Sequence, residues 1–447
     1  MNPSISPEVV KSAREGYLYP MWLVKQALLD HPDIHEAFDA YQDIAGVTPR
    51  RCLRCKRVLS LPEAGPRYGG RFIELWPSGE PIRIEPPQVI GSGNQRALES
   101  LSRSVYLACL QEVQIRGRSA LFEFEEAVLI DVERDELTRL DDQLDLDSAI
   151  FRATNDYAWI MSPGSSAVPV EEAFSLMGPH SYAFGHWMWE YLPKYIEATL
   201  SHAMPLVPVL IDAGMPTAHR EALELILADG AEVIELSQLA TARVKSLWYA
   251  PTPMHMPLLE KMNERFRWDY LASPPRRFAR IIREMNRRVD RHMSTIDHGS
   301  DRVFLARRPS LHRKLVNHED VEAAAEAQGF RILYPEDFEF REQVRVLRNA
   351  RFVVGPEGSA MFLAFFARPG TQVCILNHPY TIGLAVLTGL LEETGVGVTV
   401  FTGPSVNVNE QYPHFADYLI DLRSFSTFLR EWTGHAREAV SVDSYDR

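Results

Sequence analysis

The feature that most constrains the fold is an alternation of short apolar runs and amphipathic stretches through the second half of the chain. The apolar runs are rich in β-branched residues and too short for helices, which indicates strands, and strands separated by helices indicate a parallel α/β sheet. The predicted strands are 206–211, 232–235, 244–249, 302–306, 331–334, 352–354, 371–376 and 397–401, and the predicted helices are 218–229, 274–292, 319–328, 340–349, 360–366 and 425–440. The pattern predicts two Rossmann-like halves joined by a polar linker at 294–300, with a binding cleft between them at the carboxyl ends of their strands.

The first part of the chain has a different pattern. Residues 7–45 predict two or three amphipathic helices, and the stretch 49–93 is rich in Pro, Gly and Arg, which favours loops. The other predicted elements here are a small hairpin with strands at 71–76 and 81–84, a helix at 97–110 and a strand at 127–131. We therefore expect an N-terminal helical and loop extension at 1–118 and two α/β domains at 119–293 and 294–447.

Composition limits the classes of partner. With 447 residues the chain is too long for one ordinary core, so two main domains are expected. A net charge of −13 argues against a general nucleic-acid-binding or anionic-membrane-binding surface. No apolar leader is expected in residues 1–41, and the longest apolar runs are too short to span a bilayer. We therefore expect a cytoplasmic protein with at most peripheral membrane association.

Two short motifs are close to metal or cofactor patterns, and each lacks a part. Cys52 and Cys55 have the spacing of half a zinc site, but the two other cysteines of the chain are isolated, so no second pair of ligands follows. Gly91-Ser-Gly-Asn-Gln-Arg96 is close to the dinucleotide-binding fingerprint, but Arg96 stands where a small residue permits close helix packing. We expect neither a bound metal nor a resident cofactor.

A glycine turn interrupts the strand and helix predicted within 351–366. The strand ends at Gly355-Pro356, and the chain turns through Glu357-Gly358-Ser359 before an apolar segment continues. Such a turn directs unpaired backbone N–H groups and the positive end of a helix dipole at one place, which favours an anion and most often a phosphate. The turn is a candidate phosphate site, and an ordinary turn is the alternative.

A basic loop follows the first strand of the C-terminal half. Arg307 and Arg308 lie just beyond that strand, Arg313 and Lys314 follow in the same loop, and Asn317 has the character of a helix N-cap. Because the carboxyl ends of parallel strands share one edge of a sheet, we expect this loop beside the glycine turn. Several cations with a helix N-terminus can hold a diphosphate without a metal ion, whereas a solvated basic loop is the alternative.

The segment 182–194 carries the candidate catalytic residues. His186 and Glu190 are spaced i, i+4, which places them on one face of a helix. A carboxylate beside a histidine fixes its tautomer and basicity, so the pair suits general base catalysis. The surrounding aromatic residues suit either sugar stacking or a packed core in which the histidine is structural. Which of the two residues acts as the base stays open.

Together these residues resemble one known family. The shared features are His186-Trp-x-x-Glu190-x-Leu-Pro193, the pair Arg307-Arg308, Arg313-Lys-Leu-Val-Asn317, Phe340-x-x-Gln343, and Val353-Val-Gly-Pro-Glu-Gly-Ser-Ala360 followed by Phe366-Ala-Arg-Pro-Gly370. In this order they resemble glycosyltransferase family 61, which includes bacterial capsule and exopolysaccharide enzymes and eukaryotic xylosyl- and N-acetylglucosaminyltransferases. The resemblance covers roughly Tyr182 to Leu376.

The resemblance implies a GT-B-like architecture, in which two Rossmann-like domains face a central cleft. It implies inverting, metal-independent transfer of a sugar, with a nucleotide-sugar donor as co-substrate, a saccharide or glycan acceptor, and a role in surface polysaccharide biosynthesis. The domain at 294–447 would bind the donor and the domain at 119–293 the acceptor. The implied donor-binding residues are Arg307, Arg308, Arg313, Lys314, Asn317, Gln343, Gly355, Glu357, Gly358 and Ser359.

The chain departs from the family at Glu357, where eukaryotic relatives usually have histidine, and at Ala364-Phe365, where a polar pair is common. A carboxylate beside a diphosphate is repelled, so Glu357 is expected to accept hydrogen bonds from sugar or ribose hydroxyl groups. Two other functions stay open. One is a polysaccharide-modifying transferase such as a pyruvyltransferase, and the other is a non-catalytic carbohydrate-binding subunit of an assembly, which needs neither His186 nor Glu190.

Overall fold

A computed structural model shows an α/β protein, as the sequence predicts, and describes residues 6–14, 18–28, 31–92, 97–131, 147–163, 166–238, 240–253, 274–293, 300–308, 313–379, 384–408 and 416–443. The chain forms two compact units. Unit 1 comprises Met1–Ser78, Arg103–Pro216 and Ala228–Glu260, and unit 2 comprises Gly79–Ser102, Thr217–Leu227 and Lys261–Arg447. None of the helices in the described ranges combines the length and apolar character that a bilayer crossing needs.

Unit 1 begins with three helices, as predicted: α1 (Pro7–Arg14), α2 (Leu18–Ala27) and α3 (Ile34–Ala45). Asp33 is the N-cap of α3, because its carboxylate accepts hydrogen bonds from the N–H groups of the first helical turn, and Gly46 ends the helix in a left-handed conformation. The apolar residues of these helices pack in one cluster with Phe151 of the sheet.

The remaining elements follow in chain order. They are β1 (Leu53–Leu59), α4 (Leu61–Tyr68), β2 (Gly69–Trp76), β3 (Pro81–Ile84), β4 (Gln88–Ile90), β5 (Leu98–Leu101), β6 (Val105–Arg116), β7 (Leu121–Glu123), β8 (Ala127–Ile130), β9 (Ile150–Ala153), β10 (Tyr157–Met161), β11 (Val168–Ser175), α5 (Leu192–Leu200), β12 (Val209–Asp212), α6 (Thr217–Ile226), β13 (Val233–Leu236), β14 (Thr241–Tyr249), α7 (Pro275–His292), β15 (Arg302–Leu305), α8 (His318–Glu326), β16 (Arg331–Leu333), α9 (Phe340–Asn349), β17 (Phe352–Pro356), β18 (Gln372–Asn377), α10 (Leu384–Glu392), β19 (Gly397–Thr402), β20 (Ser405–Val406), β21 (Asp417–Tyr418) and α11 (Leu422–Asp443). A helical turn (Phe184–His186) and a π-helical segment (Trp187–Tyr191) lead into α5, and 3₁₀ helices form at Pro335–Asp337 and Ser359–Phe366.

The sheet of unit 1 is mixed and runs in the order β13-β12-β11-β14-β6-β7-β8-β1-β10-β9, with β2 paired to β6. Its first four strands are parallel, as predicted for β12, β13 and β14, and β6 pairs antiparallel with β14. The strand β11 was not predicted. Buried side chains of β6 and β14, such as Val113 and Leu247, belong to one core cluster. The chain order reverses between β11 and β14, because β12 and β13 lie on one side of β11 and β14 returns to the other side.

The sheet of unit 2 runs in the order β16-β15-β17-β18-β19-β4, and every neighbouring pair is parallel. Its core includes Phe304, Val354, Leu376 and Phe401, one from each of four adjacent strands. The chain passes from β15 to β16 on one side and then to β17 on the other. The order therefore reverses between β15 and β17.

Four predictions for secondary structure are wrong. The stretch 49–93, predicted as loops apart from a hairpin, also contains β1, α4 and β4. The helix predicted at 97–110 is β5 and the first half of β6, because a continuous run of buried apolar residues fits a central strand as well as a helix. Segments 71–76 and 81–84 do form strands, but β2 pairs with β6 in unit 1 and β3 pairs with β5 in unit 2, so they make no hairpin. Residues 360–366 belong to a 3₁₀ helix rather than an α-helix.

The strands and helices predicted from residue 206 onward are otherwise confirmed to within a few residues. The division into functional domains at residues 118 and 293 stays a prediction. In the structure, strands from before residue 118 lie in the sheets of both units. Most of the linker predicted at 294–300, and Arg96 of the glycine motif, lie outside the described residues.

Candidate active site

The candidate donor site of unit 2 lies at the carboxyl ends of β15 and β17, where the strand order reverses. In open α/β sheets, ligands bind outside the carboxyl ends of the strands at such a reversal. A cavity of about 280 Å³ lies here and is lined by Arg307, Arg308, Arg313, Lys314, Leu315, Val316, His318, Pro356, Asn407 and Asp417. The structure thus brings four of the predicted donor-binding residues, all basic, to one cavity.

Arg307 connects the ends of the two strands. Its Nη1 donates a hydrogen bond of 2.9 Å to the carbonyl oxygen of Glu357. Gly358 makes room for this guanidinium group, since a Cβ atom at Gly358 would lie 3.2 Å from Nη1 of Arg307. Burial lowers the pKa of Arg307, and the charge of Arg313 lowers it further. Arg307 and Arg313 repel each other, and a bound anion would relieve that repulsion. This end of the cavity therefore favours an anionic ligand.

Arg313 forms an ion pair with Glu357, in which Nη1 and Oε1 are 2.9 Å apart. Among the described residues, Oε2 of Glu357 is buried and has no hydrogen-bond partner. Glu357 was expected to meet sugar or ribose hydroxyl groups; in this structure one of its oxygens holds Arg313 and the other is shielded. Arg313 itself has a left-handed backbone, with a φ of 55°, a conformation that is rare outside glycine and concentrated at functional sites.

Arg308 is compensated by carboxylates. Its guanidinium group lies 2.7 Å from Glu336 Oε1 and 2.8 Å from Asp337 Oδ2, and it covers the ring of Tyr334. The hydrogen bonds that Arg308 donates to Asp337 and Glu336 raise its pKa. With two acidic partners, Arg308 contributes little net charge toward binding a phosphate.

Asn317 and Gln343 hold loops of the site in place. The side-chain amide of Asn317 donates to the carbonyl of Ile420 at 2.8 Å and accepts from its N–H at 3.1 Å. Asn317 occupies the N-cap position of α8, but its side chain makes no capping hydrogen bond. Gln343 donates to the carbonyl oxygens of Pro335 and Phe338 at 2.7 and 2.9 Å, and so supports the turn that carries the partners of Arg308.

The glycine turn offers fewer free donors than the sequence predicts. The N–H of Glu357 donates to the carbonyl of Leu376 at 2.9 Å, because β17 pairs with β18 up to this point. Ser359 begins the 3₁₀ helix, and Gly355 allows β17 to approach β15, since a Cβ atom at Gly355 would lie 2.6 Å from the carbonyl oxygen of Leu305. Basic side chains are therefore the main candidates for anion binding at this site.

In unit 1, His186 and Glu190 form the predicted pair. The Nδ1–H of His186 donates to Oε2 of Glu190 at 2.9 Å, and both side chains are about 5% exposed. A carboxylate only accepts hydrogen bonds, so Nδ1 carries the proton and Nε2 is left as the basic atom. The ring of His180 lies 5.0 Å from that of His186. The pair follows β11, beside the reversal in the order of the parallel strands.

The helical segment that carries this pair is a packed element. Trp187, Trp189 and Tyr191 are buried, so the aromatic residues serve the core, which was one of the two expectations. The π-helical turn precedes Pro193, which has no N–H to donate to the preceding turn. Single π-helical turns occur frequently at functional sites.

Sequence reasoning missed a polar cluster around Asp212. The carboxylate of Asp212, at the end of β12, accepts hydrogen bonds from Ser181 Oγ at 2.6 Å, from the N–H of Gly178 at 3.2 Å and from the N–H of Arg118. Burial raises the pKa of Asp212 to about 6. The guanidinium group of Arg118 stacks 3.6 Å from the ring centre of Tyr182. One sequence signal could have found this cluster. Asp212 directly follows a predicted strand, and functional residues of parallel sheets lie at the carboxyl ends of their strands.

The fold and these sites define an α/β protein with polar groups at the carboxyl ends of the parallel strands in each of its two units. Residues 184–374 match the family Glycosyltransferase 61. The resemblance drawn from the sequence is thereby confirmed over these residues, and the match supports a glycosyltransferase. The matched region includes both the pair His186 and Glu190 and the basic residues from Arg307 to Lys314. No curated protein matches the chain.

Proposed function

We propose that this chain is an inverting, metal-independent glycosyltransferase with a GT-B-like arrangement, which moves a sugar from a nucleotide sugar to a saccharide acceptor in the cytoplasm during surface polysaccharide biosynthesis. The observation that carries the proposal is the cavity at the strand reversal of unit 2, where Arg307, Arg313 and Lys314 lie together within a glycosyltransferase 61 domain.

The reaction follows from these groups. Nε2 of His186 removes the proton of an acceptor hydroxyl group, whose oxygen attacks the anomeric carbon of the donor from the side opposite the diphosphate. The bond between that carbon and the diphosphate oxygen breaks, and the configuration inverts. Arg307, Arg313 and Lys314 stabilise the negative charge that develops on the leaving diphosphate. Glu190 stabilises the imidazolium that forms.

The test is a screen of nucleotide sugars with a panel of saccharide acceptors, monitored by release of nucleoside diphosphate and by formation of product. NMR of the new anomeric centre reports the configuration, which we expect to be opposite to that of the donor. Transfer should continue in the presence of a chelator. Retained configuration, or chelator-sensitive transfer that manganese restores, would contradict the inverting or the metal-independent part of the proposal.

The family match supports sugar transfer over pyruvyl transfer. The two differ in donor, because a pyruvyltransferase uses an enolpyruvate compound. Thermal stabilisation by phosphoenolpyruvate, with none by nucleoside diphosphates or nucleotide sugars, would favour the pyruvyltransferase.

A further inference from the structure

One residue that lines the basic cavity of unit 2 is a carboxylate. Asp417 shares the cavity with Arg307, Arg313 and Lys314. An ionised carboxylate repels a phosphate group and accepts hydrogen bonds without donating them. The part of a ligand that faces Asp417 must therefore be uncharged or cationic and must carry hydrogen-bond donors.

The backbone holds Asp417 in place from two sides. Its Oδ1 accepts a hydrogen bond of 2.8 Å from the N–H of Lys314, and β21, which contains Asp417, pairs with β20. The neighbouring N–H of Tyr418 donates to the carbonyl of Lys314 at 2.9 Å. A carboxylate fixed in this way costs little further ordering when a ligand binds, which favours selectivity.

The second oxygen of Asp417 faces a polar neighbour at longer range. Its Oδ2 lies 3.4 Å from Nδ2 of Asn407, beyond the usual length of a good hydrogen bond. Asn407 also lines the cavity and has a left-handed backbone with a φ of 52°. Two residues of this cavity, Arg313 and Asn407, therefore hold a backbone conformation that is uncommon outside glycine, one on the basic loop and one beside the carboxylate.

Lys314 links the two kinds of group, because its N–H holds Asp417 while its side chain belongs to the basic set. In a nucleoside diphosphate, the group that adjoins the phosphates is the ribose, which carries two neighbouring hydroxyl donors. A volume of about 280 Å³ is at the small end of ligand pockets, roughly 300–1,000 Å³, and suits the ribose and phosphates rather than a whole nucleotide sugar.

We propose that Asp417 accepts hydrogen bonds from the ribose hydroxyl groups of the donor and makes the site selective for ribonucleotides over 2′-deoxyribonucleotides. The inference rests on the proposed function, since it assumes that the cavity binds a nucleoside diphosphate. It transfers to Asp417 the role that the sequence suggested for Glu357.

The test compares binding of matched ribo and 2′-deoxy nucleoside diphosphates with each common base, by isothermal calorimetry at fixed salt. We expect the ribo form to bind the wild-type chain about tenfold or more tightly, the effect of one hydrogen bond to a charged group. In Asp417→Asn that ratio should fall to near one, because the amide keeps an acceptor for the Lys314 N–H but loses the second carboxylate oxygen. Asn407→Gly, which keeps a left-handed backbone available, should lower the ratio in part.

Asp301→Asn is the matched control. Asp301 is exposed directly before β15, at the amino ends of the strands, away from the cavity. The ratio of ribo to 2′-deoxy affinity in this variant should equal that of the wild type. The ratio of the two affinities is insensitive to a general loss of protein stability, because such a loss weakens binding of both nucleotides equally. Binding of nucleoside diphosphates without ribo selectivity, or with selectivity that survives in Asp417→Asn, would overturn the inference alone. Absence of binding by every nucleoside diphosphate would overturn the proposed function together with it.

Discussion

At the scale of single residues, acidic partners decide which cations of unit 2 can bind a phosphate. Arg308 has two carboxylates within hydrogen-bonding distance and is half exposed, whereas Arg307 donates to a backbone carbonyl and is partly buried. Arg313 has one carboxylate partner, Glu357, which orients it. We therefore expect these arginines to differ in function, with Arg307 and Arg313 binding the donor phosphate and Arg308 mainly organising its own loop.

We expect Arg313→Ala to weaken nucleoside diphosphate binding by about tenfold or more, since one charged hydrogen bond is lost. Arg308→Ala should weaken it by less than about fivefold, because two carboxylates already compensate the charge of this exposed side chain. Calorimetry at one ionic strength measures both. The double variant Arg313→Ala/Glu357→Gln removes the carboxylate that would otherwise be left unpaired, and separates loss of binding from loss of stability. Equal losses for Arg308→Ala and Arg313→Ala would contradict the distinction.

Asp212 gives a prediction for stability against pH. Burial raises its pKa from the usual 3.8 to about 6, so the folded state binds the proton more tightly than the unfolded state. Its contribution to stability is thus present at low pH and lost as the pH rises from about 4 to about 6. Asp212→Asn removes this titration. The free energy of unfolding of the variant, relative to wild type, should increase by about 2–3 kcal/mol between pH 4 and pH 7.

Urea unfolding at several pH values measures this difference. Ser181→Ala is the companion variant, because the hydrogen bond from Ser181 favours the ionised form of Asp212 and lowers its pKa. Its removal should raise that pKa further, so that the loss of stability is larger in total and continues to higher pH. A difference between Asp212→Asn and wild type that stays constant with pH would show that Asp212 does not titrate in this range.

At the scale of elements, the sequence was most informative where periodicity and burial agree. The strands from β15 to β19 are short β-branched runs between amphipathic helices, so their type and the edge that carries Arg307 and Glu357 could be predicted. β6 could not, because it is buried along most of its length and has no alternation to separate strand from helix. Asp417 was missed because its partner Lys314 is remote in sequence, and pairing between distant segments leaves no local pattern.

The contact between β15 and β17 is the element-scale feature on which the cavity depends. Gly355→Ala would place a Cβ atom 2.6 Å from a backbone oxygen of β15, and backbone has little freedom to move. We expect a loss of about 1–3 kcal/mol in the free energy of unfolding, typical of overpacking. Gly434→Ala is the matched control, because a Cβ atom there, on α11, has no neighbour within 4 Å.

In the control the same substitution should raise stability by about 0.5–1 kcal/mol, since alanine favours helix over glycine. Chemical denaturation of both variants gives the comparison. Equal effects of the two substitutions would mean that the two strands can separate without cost, and that Gly355 does not fix the site.

At the scale of the whole molecule, the two units carry different parts of the proposed chemistry. Unit 2 contains the cations that suit a diphosphate, and unit 1 contains the histidine and carboxylate that suit proton transfer. Each set lies at the carboxyl ends of parallel strands beside a reversal of strand order, as ligand sites in α/β sheets do. Binding of the donor and activation of the acceptor should therefore be separable by mutation.

We expect His186→Ala to lower the rate of transfer by roughly 10²- to 10⁴-fold, the usual contribution of a positioned base, while nucleoside diphosphate affinity stays at the wild-type value. Glu190→Gln should reduce the rate less, because the amide oxygen still accepts the Nδ1–H of His186 but no longer stabilises the imidazolium. His35→Ala, an exposed histidine of α3, is the control and should leave both quantities unchanged. Initial rates with saturating donor and calorimetric titration of the same preparations distinguish the outcomes. A wild-type rate of transfer in His186→Ala would exclude His186 as the base. An equal loss of donor affinity would show that donor binding and proton transfer are not separated between the two units.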